Sequence, residues 1–295
     1  MAKERVSKLR IRKSNHALNR SAAGDFGINL MLLIFAAFMV IPLIYSIMQA
    51  FKPLNELFLY PPRFFVVSPT LKNFKDLFRL MGTSWVPFSR YIFNTAFIAI
   101  VGTFGNVMLS SLAAYSLAKL KYPGRKFLFN MIVYSLMFNS TVTGICNFLT
   151  ISWLGLVDTY FAIIIPAWCS TTGLYLMKQF MESSVPDEVL ESARLDGASE
   201  ARVLWTIAMP MVKPAWLTLI IFSFQGLWGT GASIYIYSEQ LKSFSYAMGQ
   251  VLAGGIARSG AGAASGVIMM IVPILVFVVS QSNIIETMST SGLKG

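Results

Sequence analysis

The side chains best suited to chemistry in this 295-residue chain crowd into one short run. Glu182, Asp187, Glu188, Glu191, Arg194, Asp196, Glu200 and Arg202 lie between two strongly apolar stretches. Carboxylates and guanidinium groups at this density can move protons, hold a metal or bind a partner. The rest of the chain supports neither of the first two: there is no HExxH, no GxSxG and no pair of carboxylates beside an apolar span. The single histidine, His16, stands alone in a basic tail. Cys146 and Cys169 sit inside apolar segments without CxxC spacing, so packed or lipid-facing thiols are expected rather than a disulfide or a metal site. No GxxxxGK[ST] phosphate loop occurs either. Catalytic and metal-ligating residues are therefore expected to be absent.

The elements around this run identify the solvent it faces. The chain is 55% hydrophobic and only 13% charged, against about 25% charged in soluble domains, and its mean hydropathy is +0.62. So much apolar surface predicts an integral membrane protein. Six stretches free of Asp, Glu, Lys and Arg are long enough to cross as helices: 26–51, 91–118, 127–157, 159–177, 214–238 and 259–285. The fourth is the shortest and contains Pro166, which predicts a kink. No strand-length alternation of polar and apolar residues suggests a barrel, and only helices then satisfy the backbone in lipid. An all-α fold of six transmembrane helices follows.

The net charge of +11 reads as topology rather than affinity for nucleic acid. Most of the 24 Lys and Arg fall on one side if the N-terminus is cytoplasmic, and an even number of crossings puts both termini there. Residues 1–25 are then a basic cytoplasmic arm, 26–285 the membrane domain and 286–295 a cytoplasmic tail. Residues 52–90 form an outer loop rich in proline, read as extended and ordered by turns. Residues 239–258 form a second outer loop, whose apolar piece 244–257 is too short to span and reads as re-entrant or protruding. Residues 182–213, which contain the charged run, are cytoplasmic. One charge at the centre of a bilayer costs about 2.5–3.5 kcal/mol, so this run stays in water.

Polar side chains inside apolar spans mark cavities or helix contacts. Asn139, Thr143 and Asn147 lie in the third span, and Gln225, Trp228 and Tyr235 in the fifth; Ser233 is a further polar residue there. Such groups suit the lining of a path for a polar cargo, and close helix packing would use the same residue types. A secondary transporter or channel, the alternative class, is expected to carry Asp, Glu or His inside its spans. None lies within these six.

Within the charged run, Ser184 is a candidate cap, Pro186 suits a first turn, and Asp187 or Glu188 favours the positive end of a helix dipole. A short helix to about Leu195 is expected, then a turn at Asp196-Gly197. A second helix is expected from about Ser199 to Ala208, ended by Pro210 and Pro214. Glu191, Ser192 and Ala193, then Gly197 and Ala198 after Asp196, then Ile207 and Pro210 at a fixed distance, resemble the EAA loop of ABC-importer permeases. Ser192 stands where that motif has its first Ala, and Met209 where it has Leu. Tyr91–Asn94, Ala113–Tyr115, Leu117–Lys119 and the ending Gly292–Gly295 are weaker matches to carbohydrate importers of the maltose type and the oligosaccharide-permease group.

The resemblance implies a permease subunit that pairs with a second permease, rests on two ATPase subunits and receives its sugar from an extracellular binding protein in a bacterial plasma membrane. ATP and Mg would be bound by the ATPase, with no cofactor on this chain. It implies that Glu191, Ser192, Ala193, Asp196, Gly197, Ala198, Ile207 and Pro210 form the ATPase-coupling element. It also implies that Gly249, Gly254, Gly255 and Gly260 belong to a loop that reaches toward the binding protein.

Overall fold

The computed structural model describes residues 22–82, 85–231 and 234–291. Most of the basic arm, Ser233 and the Gly292–Gly295 ending lie outside the described residues. Thirteen helices, two short 3-10 turns (Glu239–Leu241 and Ile256–Arg258) and no strand occur among the described residues.

The chain divides into two units, residues 1–45 and 46–295. The described part of the first is most of α1 (Ala22–Phe51), where every side chain from Gly24 to Ile44 is exposed. An apolar surface of that kind is stable only against hydrocarbon or another apolar surface.

The second unit is built on α4 (Phe88–Lys119), the long span against which α7, α8 and α11 pack. Before it come α2 (Leu54–Leu57) and α3 (Lys72–Gly82). These correct the extended reading of residues 52–90. Asn73, Leu77 and Met81 recur at helical spacing, and burying them together holds α3 as a helix. After α4 come α5 (Arg125–Ser135) and α6 (Ser140–Trp153), then α7 (Phe161–Trp168) and α8 (Thr171–Ser184). The charged run forms α9 (Asp187–Leu195) and α10 (Glu200–Met211), and α11 (Lys213–Trp228) follows at 84° to α10. Last come α12 (Phe244–Leu252) and α13 (Ser259–Ser291).

Among the described residues, four helical stretches are long and apolar enough to cross a membrane: Gly24–Phe51, Phe88–Lys119, Phe161–Ser184 and Ile256–Gln281. The bent pair α10–α11 makes a fifth if taken together. The third is α7 and α8 joined through a break at Cys169 and Ser170, just past the expected kink at Pro166. Ser170 accepts from the Gly173 N–H at 3.2 Å and so restarts the helix there.

Two expected spans differ from the fold. Residues 127–157 are not one helix. Asn139 accepts from the Thr141 N–H at 2.8 Å and starts α6 as a new helix, leaving pieces of 11 and 14 residues. The fifth span stops at Trp228, and residues 234–243 lie outside it. There Asp158, at φ +62°, accepts from the Tyr237 N–H at 2.9 Å, from the Ser238 N–H at 2.8 Å and from the Ser238 hydroxyl. Polar groups inside the bundle bridge helices: Asn106 donates to Ser223 Oγ at 3.1 Å and accepts from Ser110 Oγ at 3.0 Å.

Candidate functional site: a charged helical pair bolted to the longest inner span

Three features make α9 a helix. Asp187 and Glu188 oppose the dipole in its first turn, Arg194 suits its last, and Leu190 is buried among Met177, Met181, Val185 and Val203. Pro186, not Ser184, occupies the cap position and offers no side-chain acceptor; Ser184 is the last residue of α8. The helix ends as expected at Gly197, whose φ of +81° a β-carbon would strain. Ala198 N–H donates to Ala193 O and Gly197 N–H to Arg194 O, both at 3.0 Å, which satisfies the last carbonyls of α9.

Ser199 caps α10 by accepting from the Arg202 N–H at 3.4 Å. Pro210 does not end α10, as the sequence suggests, because Val203–Ala208 is wound as a π-helix. The wider turn lets the helix run on to Met211 through a residue that has no N–H and crowds the preceding turn. The end comes at Val212. Ile207 packs against the core below, and Pro210 is exposed.

Two side chains at helical spacing on the end of α4 hold this pair in place. Lys119 Nζ reaches Asp187 Oδ1 at 2.7 Å and the Val185 carbonyl at 2.6 Å, fixing the start of α9. Tyr115 donates to Glu200 Oε2 at 2.6 Å, fixing the start of α10. Arg194 closes the set, with Nε 2.7 Å from Glu200 Oε1 and Nη2 3.3 Å from Oε2. The Arg194 and Tyr115 hydrogen bonds hold the Glu200 carboxyl below its ordinary range. Lys119 does the same for Asp187, and Glu200 raises Arg194 further. A cavity of about 180 Å³ opens here, lined by Lys119, Lys121, Asp187, Glu191, Arg194 and Glu200.

The residues expected to form the coupling element are spread over α9, the turn after it and α10. Ala193 and Ala198 pack inward, while Glu191, Ser192, Asp196 and Gly197 face solvent. Leu195, which the sequence reading did not single out, is 90% exposed at the tip of the turn. An apolar knob beside an open glycine and a solvent-facing Glu191 has the composition of a docking surface. Tyr115, Lys119 and Glu200 were also missed as a set, because their partners are separated by up to 85 residues.

The polar residues expected along a path through the spans are more scattered. Asn139 is the α6 cap, and Thr143 Oγ1 donates back to the Asn139 carbonyl at 3.4 Å. Asn147 and Gln225 are exposed. Tyr235 stacks on Phe148 of α6 at 6.0 Å between centroids, which brings the segment beyond α11 against the third span. Trp228 does not offer a face: it is 6% exposed, lies against Phe224, and its indole N–H donates to Met269 O at 3.0 Å.

Residues 244–257 are not a free protruding loop. Phe244, Ala247, Met248 and Val251 of α12 are buried on one face. Gly255 turns the chain at φ +73°. Gly254 and Gly260 allow close approach, since a β-carbon would overlap Arg258 at the first and Asn73 at the second, whereas Gly249 has open space. The start of α4 and the segment leading into α12 are joined by Asn94, which donates to Gln240 O at 2.8 Å and Lys242 O at 2.9 Å and accepts from Tyr160 at 2.7 Å.

Comparison with known proteins agrees with this architecture. The fold superposes with a TM-score of 0.74 on a chain of a bacterial ABC transporter involved in the import of the acidic polysaccharide alginate, at 24% identity over 89% of this chain and 98% of that one. Protein LplC of Bacillus subtilis (strain 168) is 34% identical over 65% of this chain and 62% of its own length. The polygalacturonan/rhamnogalacturonan transport system permease protein YtcP of the same organism is 29% identical over 70% of this chain and 69% of its own. Residues 107–289, which include α9, α10 and the spans on either side of them, match the family of binding-protein-dependent transport system inner membrane components. The chain belongs to that family, as a multi-pass membrane component whose family role is transport.

Proposed function

We propose that this chain is the permease subunit of an ATP-driven importer that passes a sugar or oligosaccharide from an extracellular binding protein into the cytoplasm. The observation that carries the reading is the solvent-facing pair α9–α10, attached to the end of α4 through Tyr115–Glu200 and Lys119–Asp187 and presenting Glu191, Leu195 and Gly197 outward. YtcP, named for the transport of polygalacturonan and rhamnogalacturonan, supports a carbohydrate as cargo.

In this reading the chain crosses six times. The broken pair α5–α6 makes one crossing and α11 with the residues after it another, and both termini are cytoplasmic. The energy comes from two ATPase subunits, which hold ATP and Mg, and a second permease completes the pathway. Glu191 pairs with a basic residue of the ATPase, and Gly197 permits close approach. Closure of the ATPases moves α9–α10 as a rigid body. The bolts to α4 transmit that motion to the spans, which alternate between inward- and outward-facing arrangements. Asn139, Thr143, Asn147, Gln225 and Tyr235 offer polar and aromatic contacts along the path, with Trp228 as a packed support. The region from Gly249 to Gly260 faces the binding protein.

The test is Gly197→Trp in the assembled complex. Assembly is retained and binding-protein-stimulated ATP hydrolysis is lost, because the indole occupies the space the ATPase needs. Full stimulation in a correctly assembled variant would overturn the reading.

A further inference from the structure

On the proposed outer side, the loop 52–90 carries Lys52, Arg63, Lys72, Lys75, Arg79 and Arg90, although cations in membrane proteins gather on the cytoplasmic side. Some serve the fold: Lys52 donates to the Arg63 carbonyl, and Arg90 to the Gln240 carbonyl and the Tyr160 hydroxyl. Lys72 and Arg79 do not. Their side chains make no hydrogen bond or ion pair among the described residues, and neither does that of Arg258. All three line one cavity of about 880 Å³ between α2, α3 and the turn leading into α13.

The cavity is built rather than incidental. Asn73, 6% exposed, donates to the Ala50 carbonyl at 2.8 Å and the Lys52 carbonyl at 2.7 Å, which fixes α3 to the end of α1. Gly260 lets α13 come up against Asn73, and Gly254 lets the Arg258 stem fold over the turn. Phe58, 51% exposed, and Asn55 complete the wall; Asp76 is the carboxylate among the lining residues.

We propose that this cavity is a subsite for an anionic sugar, one bearing a carboxylate or a phosphate. Two guanidinium groups and an ammonium take such a group through charge-assisted hydrogen bonds. Asn55 and Asp76 suit hydroxyls, and the Phe58 ring suits the C–H face of a sugar. A volume of this size matches small-ligand pockets, which run to about 1,000 Å³. A neutral sugar would desolvate the cations without pairing them. The inference rests on the membrane orientation and importer reading proposed above.

The experiment is calorimetric titration of the purified complete transporter in lipid nanodiscs, without binding protein, using trigalacturonate, its full methyl ester and glucose 6-phosphate. An acidic probe binds, the ester binds at least about tenfold more weakly, and the tighter acidic probe identifies the anion. The triple variant Lys72→Gln, Arg79→Gln, Arg258→Gln loses about tenfold in affinity for the acid, with unchanged melting because all three side chains are exposed. Equal binding of acid and ester, no binding of either acidic probe, or an unaffected triple variant overturns the proposal. So does a triple variant in which only docking of the binding protein weakens, since the cations would then serve an acidic protein surface. Binding-protein-stimulated ATP hydrolysis is measured on the same preparation. If it is absent from the unmutated complex, the importer reading fails; if it is present with no preference for acid, only the subsite does.

Discussion

Tyr115 donates to Glu200 at 2.6 Å, which ties the end of the longest buried span to the first turn of α10. Lys119, one turn further along the same face, ties the first turn of α9 through Asp187 at 2.7 Å. Each arm of the charged pair therefore has its own bolt to α4. A force applied to the turn at Gly197 reaches the membrane through both.

Tyr115→Phe removes one bolt and leaves the Arg194–Glu200 pair in place. The expected stability cost is small, about 1 kcal/mol, because the Glu200 side chain is 48% exposed. The functional cost is expected to be larger: more ATP hydrolysed for each sugar imported. The ratio of ATP turnover to uptake in proteoliposomes checks this, and a ratio equal to that of the unmutated complex would show that Lys119 suffices alone.

Acid should loosen the same joint. Glu200 and Asp187 are both held below the ordinary carboxylate range, Glu200 by Arg194 and Tyr115, Asp187 by Lys119. A carboxyl depressed in the folded state stabilises the fold above its unfolded pKa, roughly 4. That contribution is lost as pH falls through the folded value. Melting temperature should thus be insensitive to these groups between neutrality and about pH 5 and fall below about pH 4. Glu200→Gln should flatten part of the acid slope; an unchanged slope would assign it to other groups.

Gly105 should be intolerant of any side chain. A β-carbon there would overlap the Trp168 indole, which is pinned by its own hydrogen bond to the Val101 carbonyl at 3.1 Å. Gly105→Ala should cost about 1–3 kcal/mol through overpacking. Gly266→Ala, inside α13 with nothing within 4 Å, is the control, expected to melt no lower and to gain up to about 1 kcal/mol because alanine favours a helix interior. Thermal melting of the two variants in detergent decides between them.

Asp158 should control how tightly the segment after α11 is held. Its carboxylate accepts from Ser238 and from the Tyr237 N–H, and those bonds hold it below the ordinary range. Asp158→Ala removes every acceptor and also places alanine at positive φ. Residues 234–243 should then be cut faster by protease, while Asp158→Asn, which tolerates that backbone, should fall between the two.

The apolar spans, the charged segment between them and the turn at Gly197 were legible in the sequence. Each depends on neighbours along the chain: about 20 apolar residues suffice to cross a bilayer, and a residue at φ +81° favours glycine whatever surrounds it. The spacing from Glu191 to Pro210 likewise describes one continuous piece of helix, turn and helix. Composition could not show that residues 127–157 are two helices, because Asn139 caps only if the chain already turns there. Nor could it show that Trp228 spends its N–H on Met269, which depends on how α11 is rotated toward α13. The pairing of Tyr115 with Glu200, and the meeting of Lys72, Arg79 and Arg258 around one cavity, join residues far apart in the chain. Helix phase and packing decide such contacts, and only the tertiary structure contains them.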